Sequence, residues 1–132
     1  MYLVDTNVLS EARRGSAEAR HWLRSVDPDA IYLSVVTLGE IMKGIALKQR
    51  TDPRAAASLT QWLERLRHDH ADRILPVTDI VALEWGRLAA EPPRAMADAL
   101  IAATASIHQK IIVTRNAVDL QFGLYPLWAL ED

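Results

Sequence analysis

The 132-residue chain contains no cysteine. Disulfides, cysteine-based zinc sites and thiol catalysis are therefore excluded, and a reducing compartment is permitted. No apolar run approaches the roughly 20 residues that a membrane-spanning helix needs. The N-terminus runs Tyr2-Leu3-Val4 and meets Asp5 at once, without a basic leader or an apolar signal core. The chain therefore reads as mature and cytoplasmic. Excess charge is lacking too: the net charge is −2, so charge alone does not announce a nucleic-acid partner. Lysine is scarce, limited to Lys43, Lys48 and Lys110 among fifteen cationic residues, and the rest are arginine. Arginine grips phosphate through two N–H groups and also pairs well across protein interfaces, so this bias suits RNA and protein partners alike. The four histidines, His21, His68, His70 and His108, fit no spaced metal-ligand motif.

Half of the residues are hydrophobic, with alanine prominent, which favours helix over strand. Tyr2–Val4 reads as a first strand, followed by a turn. Ser16 caps a helix over Ala17–Val26, with Ala19, Trp22, Leu23 and Val26 on one face, and Asp27-Pro28-Asp29 ends it. Ile31–Leu33 is a second strand. Thr37-Leu38-Gly39-Glu40 has the capping-box pattern and opens a helix to about Lys48. Asp52-Pro53 starts a longer helix to about His70, with Leu59, Trp62, Leu63 and Leu66 as its apolar stripe. Ile74–Val77 is a third strand, and Thr78 or Asp79 caps the next helix, whose core stripe is Val81, Leu83 or Leu88, and Trp85. After a Pro92-Pro93 corner come a helix over Ala95–His108, a strand over Lys110–Thr114 and an edge strand within Leu124–Leu130, where Pro126 is tolerated. Alternating short apolar strands and helices predict one α/β domain, residues 1–132, with a parallel sheet of four to five strands and helices on both faces. No internal repeat or domain linker interrupts it.

Open parallel sheets bind ligands beyond the carboxyl ends of their strands. Asp5 directly follows the first strand. Glu40 falls in the first turn of the helix after the second, Asp98 near the start of the helix before the fourth, and Asn116 and Asp119 just after the fourth. Carboxylates dozens of residues apart would thus gather at one rim. Each has an ordinary reading as well: Asp5 as a turn cap, Glu40 as the partner of Thr37, Asp98 as a solvated helix residue, Asp119 as a loop acid. Together they would repel one another unless a divalent cation intervened. Magnesium suits such a site, because it takes a few carboxylates, keeps waters and recruits substrate phosphates.

Four segments carry a family resemblance. Tyr2-Leu3-Val4-Asp5-Thr6-Asn7-Val8-Leu9-Ser10-Glu11 resembles the opening of PIN-domain proteins, especially VapC-type toxins and their FitB-like relatives. Ser34–Ile41 with Gly44, Ala97–Ala105, and Ile112-Val113-Thr114-Arg115-Asn116 followed by Asp119 resemble the other three motifs. The tail departs from the pattern: Leu120 stands where an aromatic is common, and Gly123–Trp128 arrives early. The resemblance implies a PIN-like fold and a metal-dependent endoribonuclease, the toxin of a toxin–antitoxin pair. It implies an acidic quartet of Asp5, Glu40, Asp98 and Asp119, with Asp5 and Asp98 as direct Mg2+ ligands (Mn2+ substituting). Glu40 would bind a second metal or orient water. Thr114 and Asn116 would support the pocket, Thr114 through its hydroxyl to Asp5, and Asn7 would hold the same turn. Arg13, Arg14 and Arg115 are candidates for flanking phosphates, with solvated surface or antitoxin contact as their alternative. The partners implied are an RNA substrate, a small antitoxin, operator DNA reached only through that antitoxin, and a second copy of the chain.

Three other readings compete. A haloacid-dehalogenase-type phosphatase would want a second acid two residues after Asp5, where Asn7 stands. A receiver domain would want an acidic pair ahead of the first strand's acid, and Asp5 stands almost at the N-terminus. A PIN-fold binding module would act through its antitoxin and DNA complex with little catalysis.

Overall fold

The computed structural model describes residues 1–90 and 95–114 and the backbone of Leu124–Pro126. Pro92-Pro93, Arg115, Asn116, Asp119 and the rest of the expected last strand lie outside the described residues.

Five short strands make one parallel sheet: β1 (Tyr2–Val4), β2 (Ile31–Ser34), β3 (Ile74–Leu75), β4 (Ile111–Thr114) and β5 (Leu124–Pro126), in the order β3-β2-β1-β4-β5. Leu3 lies between Tyr32 and Ile112 across the central strand, and Thr114 pairs with Pro126 at the β5 edge. The chain steps outward from β1 through β2 to β3, then returns to the other side of β1 to make β4. That reversal creates a switch point between β1 and β4, where adjoining connections leave in opposite directions and open a crevice at the carboxyl rim.

The helices are α1 (Thr6–Arg13), α2 (Ala17–Ser25), α3 (Val35–Gln49), α4 (Pro53–Asp69), α5 (Asp79–Ala89) and α6 (Met96–His108). Among the described residues no helix is long and apolar enough to cross a membrane. Strand alternation sends Leu3 and Ile112 to one face, where they pack with Val81, Leu88, Ile101, Ala102 and Ala105 of α5 and α6. Tyr2, Val4, Ile31, Leu33 and Val113 face the opposite way, against Val8, Leu9, Ala19 and Trp22. Trp22 is almost fully buried and meets the Tyr2 ring edge-on, with centroids 5.2 Å apart. Ile41 and Ile45 of α3 close a third cluster with Ala56 and Leu63 of α4. The aromatic residues Trp62 and Trp85 pack against these cores.

Three local expectations need correction and one open choice is settled. The segment after Asp5 is the helix α1, not a turn; burial of Val8 and Leu9 holds it although only eight residues are helical. The helix α3 is capped by the fully buried Ser34, whose Oγ accepts from Val36 N–H, so Thr37 and Glu40 sit inside the helix and form no capping box. Of the alternatives left open at α5, Thr78 is the cap and Leu88 the core residue; Leu83, out of phase with Val81, Trp85 and Leu88, is 76% exposed. The third strand is only Ile74–Leu75. Elsewhere the caps fall where the sequence places them: Ser16 accepts from Ala19 N–H, and Asp52 from Ala55 N–H ahead of Pro53.

Candidate active site

Asp5 is the first residue beyond β1. Its backbone N–H donates to Val113 O at 3.0 Å, fixing it to β4, and its carbonyl accepts from Val8 N–H to start α1. Although it occupies the N-cap position, its side chain makes no capping bond. The carboxylate turns instead toward β4, where Thr114 Oγ1 donates to Asp5 Oδ2 at 2.9 Å. Asp5 and Thr114 continue the parity of Leu3 and Ile112, so both belong to the face covered by α5 and α6. The last residue of β4, Thr114, is buried.

Asp98 arrives on that face from α6. This helix ends just before the amino end of β4, so its beginning lies at the carboxyl rim; Asp98 occupies its first turn, where the helix dipole favours negative charge. Glu40 comes from α3, which leaves the rim directly after β2 and the Ser34 cap. A hydroxyl holds it in place: Thr6 Oγ1 donates to Glu40 Oε1 at 2.7 Å and lies 3.0 Å from Thr37 Oγ1.

The electrostatics at Asp5 favour protonation. Burial holds the Asp5 carboxyl above its ordinary range; the Thr114 hydroxyl opposes that, the negative charge of Asp98 adds to it, the Asn7 backbone N–H opposes it, and Glu40 adds to it last. The Asn7 N–H thus leans toward the carboxylate without reaching capping geometry. Asp5 thus feels the charges of Asp98 and Glu40, which come from two other elements. The three acids do not close into a complete coordination shell, for among the described residues no group of three His, Cys, Asp or Glu could hold a metal ion by itself. An all-oxygen set of one or two carboxylates, with waters completing the shell, fits Mg2+, and a cation would relieve the repulsion recorded at Asp5.

The remaining candidates divide. Arg13 is engaged with α4, where its Nη2 donates to Ser58 Oγ at 2.8 Å and its guanidinium stands 5.5 Å from the centre of the Trp62 ring. Arg14 is exposed at the end of α1, and Asn7 is exposed in its first turn. Two residues that sequence reasoning passed over belong to the site, Thr6 and Thr37. Their signal was the position of Thr6 directly after the leading acid, and of Thr37 three residues before Glu40 on one helix face.

Comparison with known proteins adds the following. The PIN domain family matches residues 2–119. The toxin FitB of Neisseria gonorrhoeae is 33% identical over 127 residues, covering 88% of each chain. The ribonuclease VapC14 of Mycobacterium tuberculosis is 35% identical over 68 residues, covering 48% of this chain and 63% of that protein. The crystal structure of FitAcB from Neisseria gonorrhoeae superposes with a TM-score of 0.87 at 30% identity, covering 98% of this chain and 100% of that one.

Proposed function

The chain belongs to the PIN domain family, and from that premise we propose that it is a magnesium-dependent endoribonuclease, the toxin of a type II toxin–antitoxin pair. Residues 1–132 form its single PIN domain. One observation carries the reading: a half-buried carboxylate, Asp5, sits at the switch point of a parallel sheet, held by Thr114 and opposed by the charges of Asp98 and Glu40. The names of the similar proteins, a toxin and a ribonuclease, support the same chemistry.

In this reading Asp5 and Asp98 hold the cation. Bound there, Mg2+ offsets their repulsion, polarises a phosphoryl oxygen of RNA and makes an attacking water more acidic. The Thr114 hydroxyl keeps Asp5 in one orientation. Glu40 has Oε1 tied to Thr6, and Oε2 is the acceptor assigned to the proton of the attacking water. Asp119 is the second assigned acceptor, and Asn116 its neighbour in support. In-line attack leaves a 5′-phosphate and a 3′-hydroxyl. Flanking phosphates are assigned to Arg14 and Arg115; Arg13, already bonded to Ser58, is better placed to join α1 to α4.

A small antitoxin protein, and operator DNA reached only through it, complete the set of partners, and the cytoplasm is the compartment assigned to the protein. A homodimer is supported by the exposed apolar side chains of Ile80 and Leu83 on α5.

The test is cleavage of RNA by highly purified wild-type protein, Asp5→Asn and Asp98→Asn, with Mg2+ and with chelator. The expected result is Mg2+-dependent cleavage that each substitution lowers by about 1000-fold, equivalent to roughly 4 kcal/mol. Equal cleavage by the variants would sink the reading, and no turnover by any of them would favour the binding-module alternative.

A further inference from the structure

Glu40 sits on a long, flexible side chain near a carboxylate of the same sign, Asp5. Left to itself such a side chain would swing away from its neighbour, and its rotamer freedom favours that release. The structure shows what opposes it. Thr6 is buried at the first turn of α1 with its hydroxyl 2.7 Å from Glu40 Oε1. Thr37, fully buried one turn before Glu40 on α3, lies 3.0 Å from that same hydroxyl. A threonine hydroxyl has one proton and two lone pairs, so Thr6 can donate to Glu40 while accepting from Thr37. Bonds to a charged acceptor are the stronger kind. Because Thr6 is the next residue after Asp5, tying Glu40 to Thr6 also fixes its distance from Asp5.

We infer that Thr6, backed by Thr37, is a positioning residue that holds Glu40 against the Asp5 carboxylate so that both face one metal and substrate position. The inference rests on the nuclease reading above. Asp5 and Glu40 are thereby each held by a threonine from a different element: Thr114 secures the first and Thr6 the second. A simple staple between α1 and α3 would use the same bond, but only to support folding.

The experiment compares Thr6→Val, which keeps the shape and loses the hydroxyl, with Thr6→Ser, which keeps the hydroxyl. Each is measured for kcat and KM on RNA, for Mg2+ affinity by titration calorimetry without RNA, and for Tm without metal. T6V is expected to lower kcat by about 10- to 100-fold with little change in KM, and to weaken Mg2+ binding. T6S should recover most of both losses. Thr37→Val, which leaves the Thr6–Glu40 bond standing, should cost less than T6V, and T6V should add little to Glu40→Gln. If T6V does not fold, Thr6→Ala removes the same hydroxyl with less steric demand. Wild-type kcat and Mg2+ affinity in T6V with only a lower Tm would overturn the inference in favour of the staple, as would a T6S as impaired as T6V. The variant D5N is run alongside. Wild-type cleavage by D5N would bring down the nuclease reading instead, and the Mg2+ titration would then decide the role of Thr6 alone.

Discussion

Two polar knots lie at different places on this sheet, and they are built on opposite principles. At the outer edge, Arg73 is a mostly buried cation surrounded by oxygen. Its Nε donates to Ile31 O at 3.0 Å, its Nη2 to Asp69 O at 2.8 Å and its Nη1 to Asp72 Oδ1 at 2.7 Å, with Asp29 Oδ1 at 3.6 Å. Charge and hydrogen-bonding demand are both met, and the knot ties the end of α4 to β2. At the switch point three carboxylates share a corner with hydroxyls and one backbone N–H, and Asp5 is pushed toward protonation. A balanced knot is what folding alone would select. An unbalanced one lowers stability unless something outside the chain completes it, which is the part that the proposed cation and anionic substrate would play at this rim.

The comparison can be broken most forcefully at Arg73. Replacing it with Met removes bonds from a charged donor to two backbone carbonyls and should cost about 1.5–3 kcal/mol of stability, measured by chemical denaturation. Cleavage per folded molecule should be unaffected, because Arg73 belongs to the fold and not to the rim. Lost cleavage at an undiminished folded fraction would erase the distinction between the knots.

A smaller effect of the opposite sign is expected at Asp5. Its folded pKa lies above the ordinary value of 3.8, so the folded chain holds this proton more tightly than the unfolded one. The resulting contribution to stability is fully present below about 3.8 and is lost as pH rises through the folded value. Without metal, Asp5→Asn should therefore melt higher than wild type at neutral pH, and the advantage should shrink as the pH falls toward 3.8. Thermal melts in chelator check this; a variant less stable than wild type at neutral pH would mean that the knot is balanced after all.

The architecture was legible in the sequence because it depends on signals that are local. Short apolar strands, Ser16 before Ala17, and Asp52 before Pro53 all act over a few residues. The misreadings arose where distant contacts decide. The helix α1 has little periodicity beyond Val8, Leu9 and Ala12, and packing against the sheet sustains it. Thr37 followed by Glu40 mimics a capping box, but the partner of both residues is Thr6, contributed by another helix. Asp5, Glu40 and Asp98 could be expected near one rim because strand order sends their elements there, whereas Asp119 lies outside the described residues. The Thr114 hydroxyl on Asp5 was implied by the family resemblance and is present. What the sequence could not display was the rest of the support: Thr6 and Thr37 behind Glu40, and the diversion of Arg13 to Ser58 and Trp62.

The central claim is that the acidic corner is incomplete until a divalent cation joins it. The most direct test is the Tm of metal-free wild type and Asp5→Asn as Mg2+ is added. Binding to the folded state alone should raise the wild-type Tm with Mg2+ concentration and leave D5N nearly unchanged. An equal rise in both proteins, or none in wild type, would contradict the claim.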